Sequence, residues 1–324
     1  MKSPIFIFSL PRSGSTLLQR ILGSHNKIST TAEPWILLPF VYTLKQNVIF
    51  TEYDHSTCYK AFSAFIAQLP NNEDDYWRCL AGFTQSLYEK NMRPDTLYFL
   101  DKTPRYYLII PEIVRMFPKA KFIFLFRNPL QVLASVITTW SKGRFYFHNN
   151  HIDLYRGPKL LADGFENFID KSFKVNYDEL VSEPQSIVKN ICEYLEIDFN
   201  NTLIDKISEF KLNARLGDVT GERVYKAIDP SPKNKWKYIL NTKYRKKFVK
   251  KYLNELGQNN LKTFGYDLNE LISQIDNLPS AKGGFIVDRM YKLTGDLLRL
   301  TDAQMFKRKI RHRINSGDPF FPLR

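Results

Sequence analysis

Ile5-Phe6-Ile7-Phe8-Ser9-Leu10-Pro11-Arg12-Ser13-Gly14-Ser15-Thr16-Leu17-Leu18 is the stretch that decides the fold. Its first four residues, β-branched and aromatic, have the signature of a buried strand. The polar, small-residue run from Ser9 to Thr16 interrupts that pattern. Leu17, Leu18, Ile21 and Leu22 then fall on one face at helical spacing. Strand, small-residue loop and helix in that order form the opening unit of an α/β sheet. A second unit follows. Residues 107–117 predict a helix, Lys121-Phe-Ile-Phe-Leu-Phe126 a central strand, and residues 129–140 the next helix. Pro129 suits that helix's first turn, where its missing N–H would be unpaired anyway. Residues 173–177 predict a further strand, followed by a helix over about 184–195.

The segments between these units differ in character. Residues 35–95 are aromatic-rich and helical in pattern, with Asn71-Asn72-Glu73-Asp74-Asp75 as a polar loop. Residues 141–170 hold Tyr, Phe, His and Gly without strong periodicity. Both read as insertions between sheet elements, where substrate-covering lids tend to sit. The expected organisation is a single α/β domain over 1–280, with helical insertions at about 35–95 and 141–170, and a basic helical extension at 281–324. That extension ends in Lys307-Arg308-Lys309-Ile310-Arg311-His312-Arg313, preceded by Leu293, Leu297, Leu298, Leu300 and Met305. Such a stretch suits a homodimer contact, a membrane-surface contact or acceptor binding, with a plain solvated helix as the alternative.

Composition narrows the class. The 324 residues are 44% hydrophobic and 25% charged, which excludes disordered and fibrous architectures. With 47 Lys+Arg against 33 Asp+Glu, the chain carries +14, so it attracts anions. Three cysteines (Cys58, Cys79, Cys192) without CxxC spacing argue against a disulfide framework and a cysteine metal cluster. No stretch reaches the ~18 apolar residues of a membrane-spanning helix. The start runs directly into a strand rather than a signal peptide, so the expected location is cytoplasmic.

A loop that leaves a buried strand and enters a helix presents backbone N–H groups at the positive end of the helix dipole, a ready site for phosphate-like anions. Ser13, Gly14, Ser15 and Thr16 add hydroxyls and room for close approach. Aligned on Gly14, the Walker A pattern GxxxxGK[ST] meets Ser9 at its first position and Ser15 in place of Lys. Arg12 restores a cation earlier in the loop. The expected fold class is therefore α/β, a parallel sheet of the P-loop-NTPase type flanked by helices. Its phosphate loop has departed from ATP hydrolysis. The competing reading is a Ser/Gly-rich turn of no special function. Arg127, closing the strand over 121–126, supplies a second anion signal at the sheet's carboxyl edge, where ligands of open α/β folds bind. Ser135 follows on the next helix. An Arg paired with a surface carboxylate, with Ser135 simply packed, is the alternative.

Together these segments resemble the 3′-phosphoadenylyl sulfate (PAPS)-dependent sulfotransferases, closest to the branch with the tyrosylprotein and bacterial enzymes. Residues 4–40, 98–140 and 173–199 carry the resemblance. It implies that Arg12, Ser13, Gly14, Ser15 and Thr16 cradle the 5′-phosphosulfate and that Arg127 and Ser135 hold the 3′-phosphate. It implies that Glu33, in Thr31-Ala-Glu33-Pro34-Trp35, is the catalytic base and that Lys102, in Leu100-Asp101-Lys102-Thr103-Pro104, neutralises charge on the transferring group. A carboxylate within reach can take the acceptor's proton, and a preorganised cation lowers the barrier. Pro104 stands where small-phenol enzymes carry a catalytic His, which excludes that model here. Tyr177 is implied near the adenine or is the last core residue of a strand. Lys235 and Trp236, with Thr220 upstream, are implied as cofactor contacts, or Trp236 simply packs.

The five histidines are scattered, and His148 with His151 suits a lid better than zinc, so no metal is expected. The implied donor is PAPS, the product adenosine 3′,5′-bisphosphate, and the partner a hydroxyl acceptor, a glycan or other alcohol before a tyrosyl phenol. A sugar would stack on Trp35, Trp77 or Trp140. Two other classes compete. A P-loop kinase or ATPase would need the loop lysine that Ser15 replaces. A nucleic-acid binder fits +14 but lacks a recognition motif.

Overall fold

A computed structural model describes residues 1–46, 53–210 and 231–301, with the isolated positions Ile49, Thr51, Leu212, Ile228 and Ile310. Its centre is β1 (Ser3–Ser9), flanked by β3 (Tyr98–Asp101) and β4 (Lys121–Phe126), with β2 (Ile28–Thr30) and β5 (Ser172–Asn176) at the edges. All four pairings are parallel, in the order β2-β3-β1-β4-β5. Phe6 lies opposite Asp101 on one side and Phe122 on the other, so the carboxyl ends of β1, β3 and β4 open together.

Continuous apolar runs in β1 and β4 follow from burial on both faces, as a parallel sheet requires. Phe6, Phe8, Phe122, Phe124 and Phe126 enter one core. It is covered by α4 (Glu73–Asn91), α5 (Ile110–Met116) and α7 (Gly157–Asn167). Ile5, Ile7, Ile123 and Leu125 enter the other, under α1 (Ser15–Gly23), α8 (Tyr177–Ser182) and α9 (Pro184–Leu195). The helices α2 (Leu37–Thr43) and α3 (His55–Ile66) precede α4, and α10 (Thr202–Asp205) follows α9. A third apolar cluster joins α6 (Pro129–Ser135) to a C-terminal layer of α11 (Trp236–Ile239), α12 (Lys243–Leu256), α13 (Gln258–Phe264) and α14 (Leu268–Asp276). The last helix, α15 (Phe285–Leu300), lies against this layer.

The sheet is α/β and helix-flanked as expected, and three details differ from the sequence reading. Residues 107–117 are not one helix: a 3₁₀ turn at Tyr106–Leu108 ends as Ile109 leaves helical angles, and α5 restarts with Pro111 in its first turn. Residues 129–140 change character midway, α6 passing into a π-helical turn at Val136–Trp140. Tyr177 is not a strand residue. The Asn176 side chain accepts hydrogen bonds from the N–H groups of Asp178 and Glu179, which caps α8 and makes Tyr177 its first residue. No helix among the described residues is long and apolar enough to cross a membrane.

Candidate active site

The loop between β1 and α1 contains two left-handed residues, Arg12 (φ 68°) and Gly14 (φ 91°). Gly14 is the residue before α1, and it must be glycine for a second reason. A Cβ there would stand 2.3 Å from Cε2 of Tyr177, so the tyrosine ring lies directly on the loop backbone. Ser13, Ser15 and Thr16 are buried behind it. The Gly14 carbonyl accepts from the N–H groups of Leu17 and Leu18 at 3.0 and 3.2 Å, and the loop stands at the positive end of the α1 dipole.

Arg127 leaves the end of β4 almost buried. One guanidinium nitrogen donates to the Arg12 carbonyl at 2.8 Å, and Nε donates to Gln131 Oε1 at 2.9 Å. The guanidinium carbon sits 4.0 Å from the centre of the Tyr177 ring. Gln131 in turn donates to Asp178 at 2.8 Å. Arg12 itself points elsewhere. Its Nε donates to Ser135 Oγ at 3.2 Å, its terminal nitrogen reaches Thr139 Oγ1 at 3.5 Å, and its guanidinium faces the Trp140 ring at 5.8 Å. Ser135 thus pairs with Arg12, and the π turn that follows brings Thr139 and Trp140 to the same guanidinium.

At the end of β3, Lys102 is 1% exposed. Its ammonium donates to Glu33 Oε1 at 2.7 Å and to Thr16 Oγ1 at 3.4 Å, which ties the carboxylate to the phosphate loop. Trp35 Nε1 donates to Glu33 Oε2 at 3.3 Å. Asp101, immediately before Lys102, is fully buried. It accepts from Tyr88 Oη at 2.5 Å, Tyr106 Oη at 2.9 Å and Thr103 Oγ1 at 3.0 Å. Thr103 Oγ1 accepts in turn from the Trp35 N–H at 3.3 Å. Burial pushes the Asp101 carboxyl up to about 6, against the hydrogen bonds that stabilise its charge. Asp101 therefore anchors both the lysine turn and the segment that presents Glu33.

The structure brings together Arg12, Ser13, Gly14, Ser15, Thr16, Glu33, Lys102, Arg127, Ser135 and Tyr177. Trp236 is buried in the third apolar cluster, so it packs. It also lines an open cleft of about 600 Å³ with Gln131, Asp178, Lys233 and Lys237. Lys235 is exposed. Thr220 and most of the basic run at 307–313 lie outside the described residues. Trp77 is buried in the first core, which removes it as a sugar-stacking face and leaves Trp35 and Trp140. His148 lies beside Gly295 of α15. Among the described residues no group of His, Cys, Asp and Glu could hold a metal ion. Sequence reasoning missed Asp101, Gln131, Asp178 and Thr139. A carboxylate closing an apolar strand was the available signal for Asp101.

Residues 4–201 match the model of the sulfotransferase family. The nodulation protein NoeE of Sinorhizobium fredii is 30% identical over 141 residues, 42% of this chain and 31% of that protein. An uncharacterised Aquifex aeolicus protein is 23% identical over 243 residues, 73% of this chain and 30% of its own length. The chain therefore spans under a third of either relative. A putative protein-tyrosine sulfotransferase of Caenorhabditis briggsae is 24% identical over 219 residues, covering 62% of this chain and 68% of that one. Among solved structures, the sulfotransferase domain of the Synechococcus PCC 7002 olefin synthase shares the fold. The TM-score is 0.53 at 22% identity, over 82% of this chain and 97% of that domain.

Proposed function

The chain belongs to the sulfotransferase family, and from that premise we propose that it moves a sulfuryl group from PAPS to a hydroxyl acceptor in line. The by-product is adenosine 3′,5′-bisphosphate. The observation that carries the reading is the Lys102 ammonium, within hydrogen-bond reach of both Glu33 and the Thr16 hydroxyl of the phosphate loop. Base, charge-neutralising cation and anion cradle meet at one point. The donor set suits a ligand with anionic ends: a helix N-terminus, four hydroxyls and three cations, with the nearby Glu33 already ion-paired.

In the proposed reaction the acceptor oxygen bonds to sulfur as the bond from sulfur to the 5′-phosphate oxygen breaks. Glu33 takes the acceptor's proton. Lys102 neutralises the charge that passes to the departing phosphate oxygen, in a site where water is largely excluded. Residues 12–16 hold the phosphosulfate end. Arg127 and Ser135 serve the 3′-phosphate, with Tyr177 beneath Arg127 on the adenine side. Lys235 and Thr220 are further cofactor contacts under this reading, while Trp236 packs beneath Lys235 in the third apolar cluster. No metal is called on. Residues 1–280 form the catalytic domain and 281–324 its extension. Three free cysteines suit a cytoplasmic setting.

A glycan or other alcohol is the acceptor we favour, with the half-exposed Trp140 and Trp35 as stacking faces. A phenol is the second reading, favoured by the likeness to a protein-tyrosine sulfotransferase. The test is an acceptor screen of sugars, alcohols and tyrosine peptides with labelled donor, read by mass gain. Alongside it, thermal shift uses a ligand at 100 times its dissociation constant, worth ~2.7 kcal/mol. Adenosine 3′,5′-bisphosphate should raise the melting temperature and ATP with Mg²⁺ should do little. The reverse order of stabilisation sinks the proposal.

A further inference from the structure

Helix α15 is amphipathic the wrong way round for a helix that merely completes a core. Its polar and small side faces the body. Asp288 is 3% exposed and accepts from Arg245 Nε at 2.7 Å and a terminal guanidinium nitrogen at 2.8 Å. Gly295 fits against the Tyr146 ring, where a Cβ would meet ring carbons at 3.2 Å. Tyr291 receives the Arg144 guanidinium at 5.3 Å. The opposite side carries Ile286, Met290, Leu293, Leu297 and Leu300, each between 59% and 74% exposed.

These five residues are spaced 4, 3, 4 and 3 apart, the alternation of a helix that packs on another helix along a narrow seam. Phe285 and Val287, 53% and 56% exposed, widen the stripe in the first turn only, and from Met290 onward it is a narrow seam. Arg289 and Asp296 border its same edge, one turn before and one turn after Leu293, and Asp296 also accepts from Lys292 of its own helix at 2.6 Å. An identical helix laid antiparallel, with Met290 of one copy against Leu293 of the other, brings each Arg289 alongside the other copy's Asp296. The charges on this edge are therefore self-complementary under a two-fold axis. Covering the stripe on both copies removes on the order of 1,000 Å² from water, the lower bound for a specific interface.

We propose that α15 is a homodimer interface, pairing antiparallel with α15 of a second copy through Ile286, Met290, Leu293, Leu297 and Leu300. The +14 charge of each copy opposes the contact, and the two Arg289–Asp296 pairs set its register and add to its strength. Dimerisation is accordingly weak and strengthens with salt, because screening shortens the reach of the repulsion from ~10 Å at 0.1 M to ~3 Å at 1 M.

Sedimentation velocity of the full chain tests this over roughly 1–100 µM, the range of a small interface. The expected result is a concentration-dependent dimer, favoured at higher salt. Leu293→Glu and, separately, Leu297→Ser should give monomers with an unchanged melting temperature. Arg289→Asp should weaken the dimer roughly tenfold, and adding Asp296→Arg should restore it. A monomer at all concentrations overturns the proposal. A dimer indifferent to Leu293→Glu and Leu297→Ser does so too. The third overturning result is a monomer that co-sediments with phosphatidylcholine–phosphatidylserine vesicles, loses them as salt rises, and loses them in Leu293→Glu.

Discussion

The two cationic ends of the site are built on opposite plans. Lys102 is sealed at 1% exposure and meets a carboxylate, so its charge is balanced within the protein. Arg127, at 8% exposure, lies against a tyrosine face, a backbone carbonyl and an amide oxygen. Gln131 stands between it and Asp178, accepting from one and donating to the other. The Lys102 charge is balanced by Glu33 beside the Thr16 hydroxyl, whereas Arg127 is clamped against the Tyr177 ring and the Arg12 carbonyl at the far side of the phosphate loop. The first arrangement suits chemistry and the second suits grip.

Substitutions at the two ends should therefore fail in different ways. Lys102→Ala and Glu33→Gln should each lower turnover by about 10³-fold. Calorimetry should show adenosine 3′,5′-bisphosphate binding within about threefold of the parent. Joint loss of affinity at Lys102 would erase the distinction. Arg127→Ala should invert the pattern, weakening the bisphosphate by about 10–100-fold, the worth of a charge-assisted hydrogen bond. Adenosine 5′-phosphate binding should change little, and equal weakening of both nucleotides would remove the 3′ assignment.

Gly14→Ala probes the junction between the ends. Strain at φ 91° and the Tyr177 contact should cost about 2 kcal/mol in urea unfolding. An Ala that unfolds like the parent would mean that the ring gives way. The narrowest test, visible only as a pH dependence, belongs to Asp101, beneath the Lys102 end alone. Its carboxyl is raised by burial from 3.8 to about 6, so the folded state holds the proton more tightly than the unfolded chain. Its contribution to stability is greatest below 3.8 and falls as pH rises through 6. Asp101→Asn removes that slope. The melting-temperature difference, parent minus variant, should shrink from pH 4 to 6.5 and then stay flat. A difference constant across that window would sink the assignment.

What the sequence disclosed was local. The β1 run, the Ser/Gly loop and Arg127 at the end of β4 are each one strand and one turn long, so periodicity and turn chemistry suffice to find them. The pairing of Glu33 with Lys102 spans 69 positions, and that of Arg12 with Ser135 spans 123. Sheet order creates those contacts, and no single-chain pattern encodes sheet order. Glu33 and Lys102 were named through family likeness, and the ion pair between them was not. Trp77 was misjudged because α4 alternates charged and aromatic residues without a clean stripe, so its buried side was hidden. The three-residue β2 is too short to show a period.

The central position of β1 has a cost in time. Ile5 to Phe8 are wholly buried in the finished protein, yet the first neighbouring strand is about 95 residues further along the chain. At 5–20 residues per second the ribosome takes ~5–20 s to deliver it. Throughout that interval an apolar, aromatic segment has no sheet to join, which makes the nascent chain a natural client for chaperones.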